Sequence, residues 1–211
     1  MNDKLLVNEI FYSIDGEGKQ SGCPAIFIRL TGCNLRCKYC DTVYAFQEGK
    51  YMSISEILAA IRHFNCKHIT LTGGEPLAQK NAVKLLKTLK VNKYKVTIET
   101  NGAIDITNAQ RYSVICMDWK TPASGMCEYM KSENLKKLRK KDVLKIVMSE
   151  NDIPYVREFL RTNKIHCPIY LSPIFGKIDL PQLAEFVKEN QNTRMQLQIH
   201  KYIWDINKRG V

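Results

Sequence analysis

Residues 25–42 read Ala-Ile-Phe-Ile-Arg-Leu-Thr-Gly-Cys-Asn-Leu-Arg-Cys-Lys-Tyr-Cys-Asp-Thr. The first part, Ala25–Thr31, is short, apolar and rich in isoleucine, which predicts a buried strand. It runs through Gly32 straight into a loop carrying Cys33, Cys37 and Cys40. A strand that opens onto a loop of chemically unusual residues is the building unit of parallel α/β sheets. Working outward, the chain repeats that unit. Further strands are predicted at His68–Thr72, Tyr94–Glu99, Tyr112–Met117, Val143–Met148, Pro168–Leu171 and Met195–Ile199. Helices are predicted between them at Ser53–Phe64, Asn81–Leu89, Glu133–Arg139, Ile153–Arg161 and Leu180–Glu189. The first is the clearest: Ser53 and Glu56 fit a capping box, and Ile57, Leu58 and Ile61 make an apolar stripe. The alternation predicts an α/β fold with right-handed βα crossovers, its single sheet curled into a complete or partial barrel. No repeat, low-complexity tract or linker interrupts it, so residues 1–211 read as a single domain.

The odd residues follow the strands. Gly73-Gly74-Glu75-Pro76, Thr100-Asn101-Gly102, Asp118-Trp119-Lys120, Ser172-Pro173 and His200-Lys201 each come after one. In a parallel fold all C-terminal strand ends open on one face, so segments far apart in sequence are expected to meet at one mouth.

Composition narrows the class. The chain has 45% apolar and 25% charged residues, as expected for a globular protein with a sizeable core. No apolar run approaches the roughly 20 residues that span a bilayer, and the first residues lack a basic-then-apolar leader. A cytoplasmic location is the expectation. The eight cysteines would suit disulfides in a small secreted scaffold, but this chain is too long for that class, and clustered thiols in a reducing compartment point to metal. The net charge of +11 reads as a lysine-rich solvated surface, because the lysines are spread over segments such as 80–95 and 131–145 without an aromatic-interleaved basic stripe.

Cys33, Cys37 and Cys40 place three thiolates within eight residues. Thiolates suit zinc and iron–sulfur clusters. Structural zinc wants four ligands, and electron-transfer clusters usually have four cysteines. Here the local count stops at three, with Cys23, Cys66, Cys116, Cys127 and Cys167 outside any CxxC pairing. Three thiolates on a [4Fe–4S] cube leave one iron open to an exogenous ligand. S-adenosylmethionine (SAM) can chelate that iron through its amino and carboxylate groups, and an electron from the cluster can then break the sulfonium bond to give a 5′-deoxyadenosyl radical. A zinc site borrowing Cys23 or a histidine is the competing reading.

CxxxCxxC with Tyr39 before its last cysteine, followed downstream by Gly73-Gly74-Glu75-Pro76, resembles the radical SAM superfamily. The likeness narrows with Phe11-Tyr12-Ser13-Ile14-Asp15-Gly16-Glu17-Gly18, Phe27-Ile28-Arg29, Cys40-Asp41-Thr42, Glu99-Thr100-Asn101-Gly102 and His200-Lys201, which together resemble the 7-carboxy-7-deazaguanine synthase family over nearly the whole chain. The resemblance implies an incomplete TIM-like βα barrel of the radical SAM type. It also implies a radical ring contraction of 6-carboxy-5,6,7,8-tetrahydropterin to 7-carboxy-7-deazaguanine with loss of ammonia, on the path to queuosine or archaeosine. SAM would serve as a regenerated cofactor beside a [4Fe–4S] cluster and Mg²⁺. A homodimer, an electron donor such as flavodoxin or ferredoxin, and no direct nucleic-acid or membrane partner are implied as well.

Residue roles follow by the same resemblance. Cys33, Cys37 and Cys40 would ligate the cluster. Tyr39, Cys40, Asp41, Gly74, Glu75, Asp118, Trp119, Lys120, Ser172, Pro173, Ile174 and Phe175 would contact SAM, with Glu75 on its ammonium. Thr42 would bind Mg²⁺, for which a hydroxyl oxygen is a suitable hard ligand. Ile14, Asp15, Gly16, Glu17, Arg29, Thr72 and Val211 would contact the pterin, so that residues 1 to about 24 form an N-terminal substrate-binding segment. Arg29 would grip the substrate carboxylate through its guanidinium fork, with Glu17 or Asp15 as its partner in the resting enzyme. The chain departs from the family's usual pattern where Asp15 replaces glutamine and Asp118-Trp119-Lys120 replaces Ser-Pro-Lys. Two other functions share some of these features: a glycyl-radical-activating enzyme shares the cluster and Gly-Gly-Glu, and a zinc-bearing nucleic-acid module would use the thiolates and the positive charge.

Overall fold

In the computed structural model, residues 3–206 and 208–211 are described; Met1 and Asn2 of the N-terminal segment, and Asn207, lie outside the described residues. Nine strands form one sheet in the order β3-β1-β2-β4-β5-β6-β7-β8-β9. From β2 (Pro24–Leu30) through β4 (His68–Gly73), β5 (Lys95–Thr100), β6 (Val114–Lys120), β7 (Val143–Met148), β8 (Ile169–Pro173) and β9 (Thr193–Met195) every pairing is parallel. The sheet is open, with short strands at both edges, as an incomplete barrel requires.

The helices α1 (Ile54–Ile61), α2 (Ala82–Val91), α3 (Ser132–Lys137), α4 (Ile153–Thr162) and α5 (Leu180–Glu189) connect the parallel strands. The capping box is present: Ser53 Oγ accepts from the Glu56 amide, and Glu56 Oε2 accepts from the Ser53 amide. Ile57 and Ile61 then enter the core fully buried.

Strand alternation decides what each face does. Ile26, Ile28, Leu30, Ile69, Leu71, Ile98, Ile115, Met117, Leu144, Ile146 and Leu171 belong to one apolar core with Leu85, Leu86, Val156, Leu183 and Phe186 of the helices. The residues between them carry Phe27, Arg29, Thr72, Glu99, Cys116, Asp118, Lys120 and Lys145 to the other face, around a cavity. Side-chain period 2 thus sorts one set of strands into an apolar outer layer and a polar lumen.

Two strands are not anticipated by the sequence reading. β1 (Lys4–Ile14) pairs antiparallel with both β2 and β3 (Lys50–Ser53). Its register shifts between Val7 and Glu9, which breaks the alternation that would mark a strand. The shift also aims a side chain: beyond it Glu9 stands opposite Arg29, and Phe11 opposite Phe27.

Two other boundaries differ. Asp118-Trp119-Lys120 ends β6 instead of following it. The last strand is Thr193–Met195, not Met195–Ile199. Residues 196–199 instead hold down the loop after β1. Gln196 accepts from the Gly18 amide at 2.8 Å and donates to the Gly18 carbonyl at 2.9 Å, and the Ile199 amide donates to the Gly16 carbonyl. The short helix α6 (His200–Ile203) follows. No described helix is long and apolar enough to cross a membrane.

Candidate functional site

The C-terminal strand ends open into a cavity of about 860 Å³. Cys33, Cys37 and Cys40 all line it, together with Arg29, Asp15, Glu17, Thr42, Thr72, Gly74, Asp118, Lys120, Ile174, Phe175, His200 and Val211. Residues separated by most of the chain converge as the strand ends require.

Glycine backbone shapes the cysteine loop. Gly32 sits at φ +94° and its amide donates to the Ala45 carbonyl at 2.8 Å. Gly74 packs so closely that a Cβ there would lie 2.3 Å from the Gly32 carbonyl oxygen and 2.8 Å from the Cys33 Cβ. Only glycine permits that approach. Arg36, between the first two cysteines, turns back onto the Cys33 and Leu35 carbonyls at 2.8 and 2.7 Å. Asn101 joins the loop from β5, donating to Asn34 Oδ1 at 2.9 Å and to Cys33 Sγ at 3.8 Å.

Burial pushes the Cys37 and Cys40 thiols up; a backbone hydrogen bond from Thr42 opposes this at Cys40, and the nearby Lys120 ammonium opposes it at both. A bound metal requires the thiolates, so that ammonium favours loading. Among the described residues no three His, Cys, Asp or Glu side chains converge tightly enough to hold one metal ion. Thiolates that each take a different corner of an iron–sulfur cube need not converge on one point, and three thiols facing one cavity beside a cation fit that group.

Glu75 does not reach the cavity. Its carboxylate is fully buried and accepts from Thr100 Oγ1 at 2.9 Å, the Leu77 amide at 2.9 Å and the Asn101 amide at 2.6 Å. It ties the ends of β4 and β5 together under the cysteine loop, so a role on the SAM ammonium is not what its contacts favour. Trp119 also turns away. Alternation places its ring in the outer core, against Phe159 at 4.9 Å, with Nε1 donating to the Tyr155 hydroxyl. Asp118 and Lys120, on either side of it, face the cavity and pair at 2.9 Å. Ser172 is fully buried, and its Oγ and Asp118 Oδ1 are buried atoms without partners among the described residues. Ser172 and Pro173 do not line the cavity, whereas Ile174 and Phe175 do.

Arg29 faces the cavity, but its partner is neither Glu17 nor Asp15. Arg29 Nε donates to Glu9 Oε1 at 2.7 Å, and the Tyr44 hydroxyl donates to the same oxygen at 3.1 Å. The β1 register shift brings Glu9 there, which is why sequence spacing misses it. Glu17 is instead paired with Lys145 and accepts from Gln198. Asp15 accepts from Thr70 Oγ1 at 2.7 Å, and burial pushes its carboxyl up. Thr42 donates to Asp41 Oδ1 at 2.9 Å, and Asp41 pairs with Lys201 at 2.7 Å. Gly16 lies against His200: a Cβ there would come within 2.1 Å of Nδ1. Burial holds that imidazole's pKa below its usual value, with Glu17 opposing.

Sequence reasoning missed Lys145, Glu99 and Gln198 as parts of this wall, and Glu9 as the partner of Arg29. A single lysine inside the otherwise apolar Val143–Met148 is a legible signal, since a buried cation needs anions. Glu99 is half-buried in the cavity wall, and burial raises it to about 7 against the pull of Lys145. Its folded-state pKa therefore exceeds the unfolded value near 4.5. The stability tied to its protonated form is fully present below pH about 4.5 and is lost as pH rises through about 7. Glu99→Gln removes the titration. Relative to the wild type, the variant should gain on the order of 3 kcal/mol between those pH values, read as melting temperatures at pH 5 and pH 8. Parallel pH dependence in the two proteins would contradict this origin.

A model of the radical SAM superfamily matches residues 27–113. A 7-carboxy-7-deazaguanine synthase of Clostridium acetobutylicum is 43% identical over the full length of both chains. One from Methanospirillum hungatei is 40% identical over 94% of this chain and 85% of its own. Among solved structures, QueE from Escherichia coli superposes with a TM-score of 0.77 over 92% of this chain and 93% of its own, at 24% identity, which is a likeness of fold.

Proposed function

The chain belongs to the 7-carboxy-7-deazaguanine synthase family of radical SAM enzymes, and from that membership together with the cavity wall we infer how its residues divide the work. It is a carbon–nitrogen lyase that uses a [4Fe–4S] cluster and SAM. The reaction we assign is the ring contraction of 6-carboxy-5,6,7,8-tetrahydropterin to 7-carboxy-7-deazaguanine with release of ammonia. The observation that carries the assignment is the meeting of three thiols, the Arg29 guanidinium and a buried carboxylate–ammonium network in a single cavity.

Cys33, Cys37 and Cys40 hold the cluster, and the cluster with SAM supplies a carbon-centred radical oxidant. Tyr39, Asp41, Gly74, Asp118, Lys120, Ile174 and Phe175 form the SAM wall. The buried, unpartnered Asp118 Oδ1 supports a ligand donor at that point. Ile14–Glu17, Thr72 and Arg29 form the pterin wall, and Val211 reaches the same cavity. One domain thus serves both, with residues 1 to about 24 contributing the pterin side. A cytoplasmic homodimer served by flavodoxin or ferredoxin completes the reading. A glycyl-radical activator would have to admit a protein segment here, and the carboxylates and Arg29 favour a small acid with ring nitrogens.

Two substitutions bear on the walls. Arg29→Lys keeps the charge but loses the fork. It should weaken carboxypterin binding by roughly 1.5–3 kcal/mol, measured as apparent substrate affinity, while SAM cleavage without substrate persists. Retained affinity with loss of the cluster would make Arg29 structural. Mg²⁺ should raise turnover, and Thr42→Val, which deletes the hydroxyl oxygen and keeps the shape, should remove most of that stimulation. An unchanged Mg²⁺ response would take Thr42 out of the site. The assignment itself is tested by anaerobic purification: about four iron and four sulfide per chain and turnover of the carboxypterin support it, whereas about one zinc with no turnover overturns it.

A further inference from the structure

Four of the charged side chains that line the cavity form a row of alternating sign. Glu17 is paired with Lys145; Lys145 Nζ lies 3.7 Å from Asp118 Oδ2; the same oxygen takes Lys120 Nζ at 2.9 Å. The ends of the row are in different places. Glu17 lies on the loop after β1, where Gln198 donates to its other oxygen. Lys120 stands beside the cysteine loop, 5.8 Å from the Tyr39 ring. Between them Lys145 is 7% exposed, in a strand whose other residues are all apolar and buried.

An ammonium paired with Glu17 and 3.7 Å from Asp118, with Glu99 also drawing on it, can lean toward either end of the row. A ligand donor that engages Glu17 loosens its hold on the ammonium, which then moves toward Asp118. A ligand that engages the free Asp118 oxygen shifts the balance in the same row from the other end. Such a shift needs a differential interaction with the two positions, and the two ligands must then feel each other equally. We propose that Lys145 is a positioning residue that couples the pterin half of the cavity to the SAM half through Glu17 and Asp118. The proposal rests on the assignment of the two walls given above.

Replacing Lys145 alone leaves Glu17 buried without its cation, which is costly. Glu17→Gln combined with Lys145→Met removes both charges, and Lys145→Arg keeps a cation. The experiment is an anaerobic titration of SAM into the cluster-loaded enzyme, with and without 6-carboxytetrahydropterin. In the wild type, the pterin should weaken SAM binding on the order of tenfold, because the ammonium it releases from Glu17 neutralises Asp118. In Lys145→Met the ratio should collapse to about one, and Lys145→Arg should restore part of it. Circular dichroism reports whether Lys145→Met folds; if it does not, the double variant decides, and its ratio should also be about one. Wild-type enzyme that binds both ligands without coupling or with mutual tightening, or coupling that survives in the folded Lys145→Met or double variant, overturns the proposal alone. Wild-type enzyme that does not bind the carboxypterin overturns the assignment beneath it.

Discussion

Alanine at Cys33, Cys37 or Cys40 should each remove the iron–sulfur absorbance and lower turnover by at least about a thousandfold, since the radical chemistry belongs to the cofactor and not to the chain. Alanine at Cys66 or Cys116 should leave the cluster in place. The contrast follows from position. The first three thiols face the cavity from one loop, which is braced by Gly74, Asn101 and the Ala45 carbonyl. Cys116 also reaches the cavity but from β6, and its thiol is fully desolvated beside Glu99, which pushes its pKa well above the usual value. Such a thiol is a poor source of thiolate. Cys66 is engaged with the Pro24 and His68 carbonyls. Iron content and the visible spectrum after anaerobic reconstitution read the outcome, and loss of the cluster in Cys66→Ala or Cys116→Ala would reassign the ligands.

Glu75→Ala should be the most destabilising single change beneath the cysteine loop. It orphans Thr100 Oγ1 and the amide of Asn101, both buried, and the part-buried amide of Leu77. At about 1–3 kcal/mol for each abandoned donor, and allowing for non-additivity, the loss is roughly 3–6 kcal/mol. That is a large part of a total stability of about 5–15 kcal/mol, and should lower the melting temperature by about 10–20 °C. Glu75→Gln keeps one acceptor oxygen and should lose less. Thermal unfolding of the cluster-free chain separates the two roles considered for this residue. A carboxylate that only met SAM would leave that melting temperature unchanged, and such a result would contradict the clamp seen here.

Much of this site is readable from local chemistry. The cysteine spacing, the double glycine and the residues that close each strand can be placed on one mouth because strand–helix alternation leaves no other arrangement. Ser53 and Glu56 fix the start of α1 by a capping box that needs no tertiary information. What escapes is set by register. Nothing in Lys4–Ile14 announces the shift beyond Val7, yet that shift decides that Glu9, and not Glu17 or Asp15, meets Arg29. Trp119 was placed by its neighbours in sequence, but a strand turns alternate residues to opposite faces, and the motif Asp118-Trp119-Lys120 lies inside the strand. Gln196 and Gln198 act over separations of 178 and 181 residues, a distance at which composition and periodicity carry no signal. Lys145 is the intermediate case: visible as an anomaly in an apolar strand, but with partners that only the fold supplies.

The central claim is that this chain contracts the ring of a carboxypterin and returns SAM unchanged. The most direct test is one stoichiometry: moles of 7-carboxy-7-deazaguanine and of ammonia formed per mole of SAM consumed, with reconstituted enzyme, reductant and 6-carboxytetrahydropterin. Product and ammonia should form in equal amounts and far exceed the SAM lost, as a regenerated cofactor requires. SAM consumed with no deazaguanine product, or product that never exceeds the SAM consumed, would contradict the account.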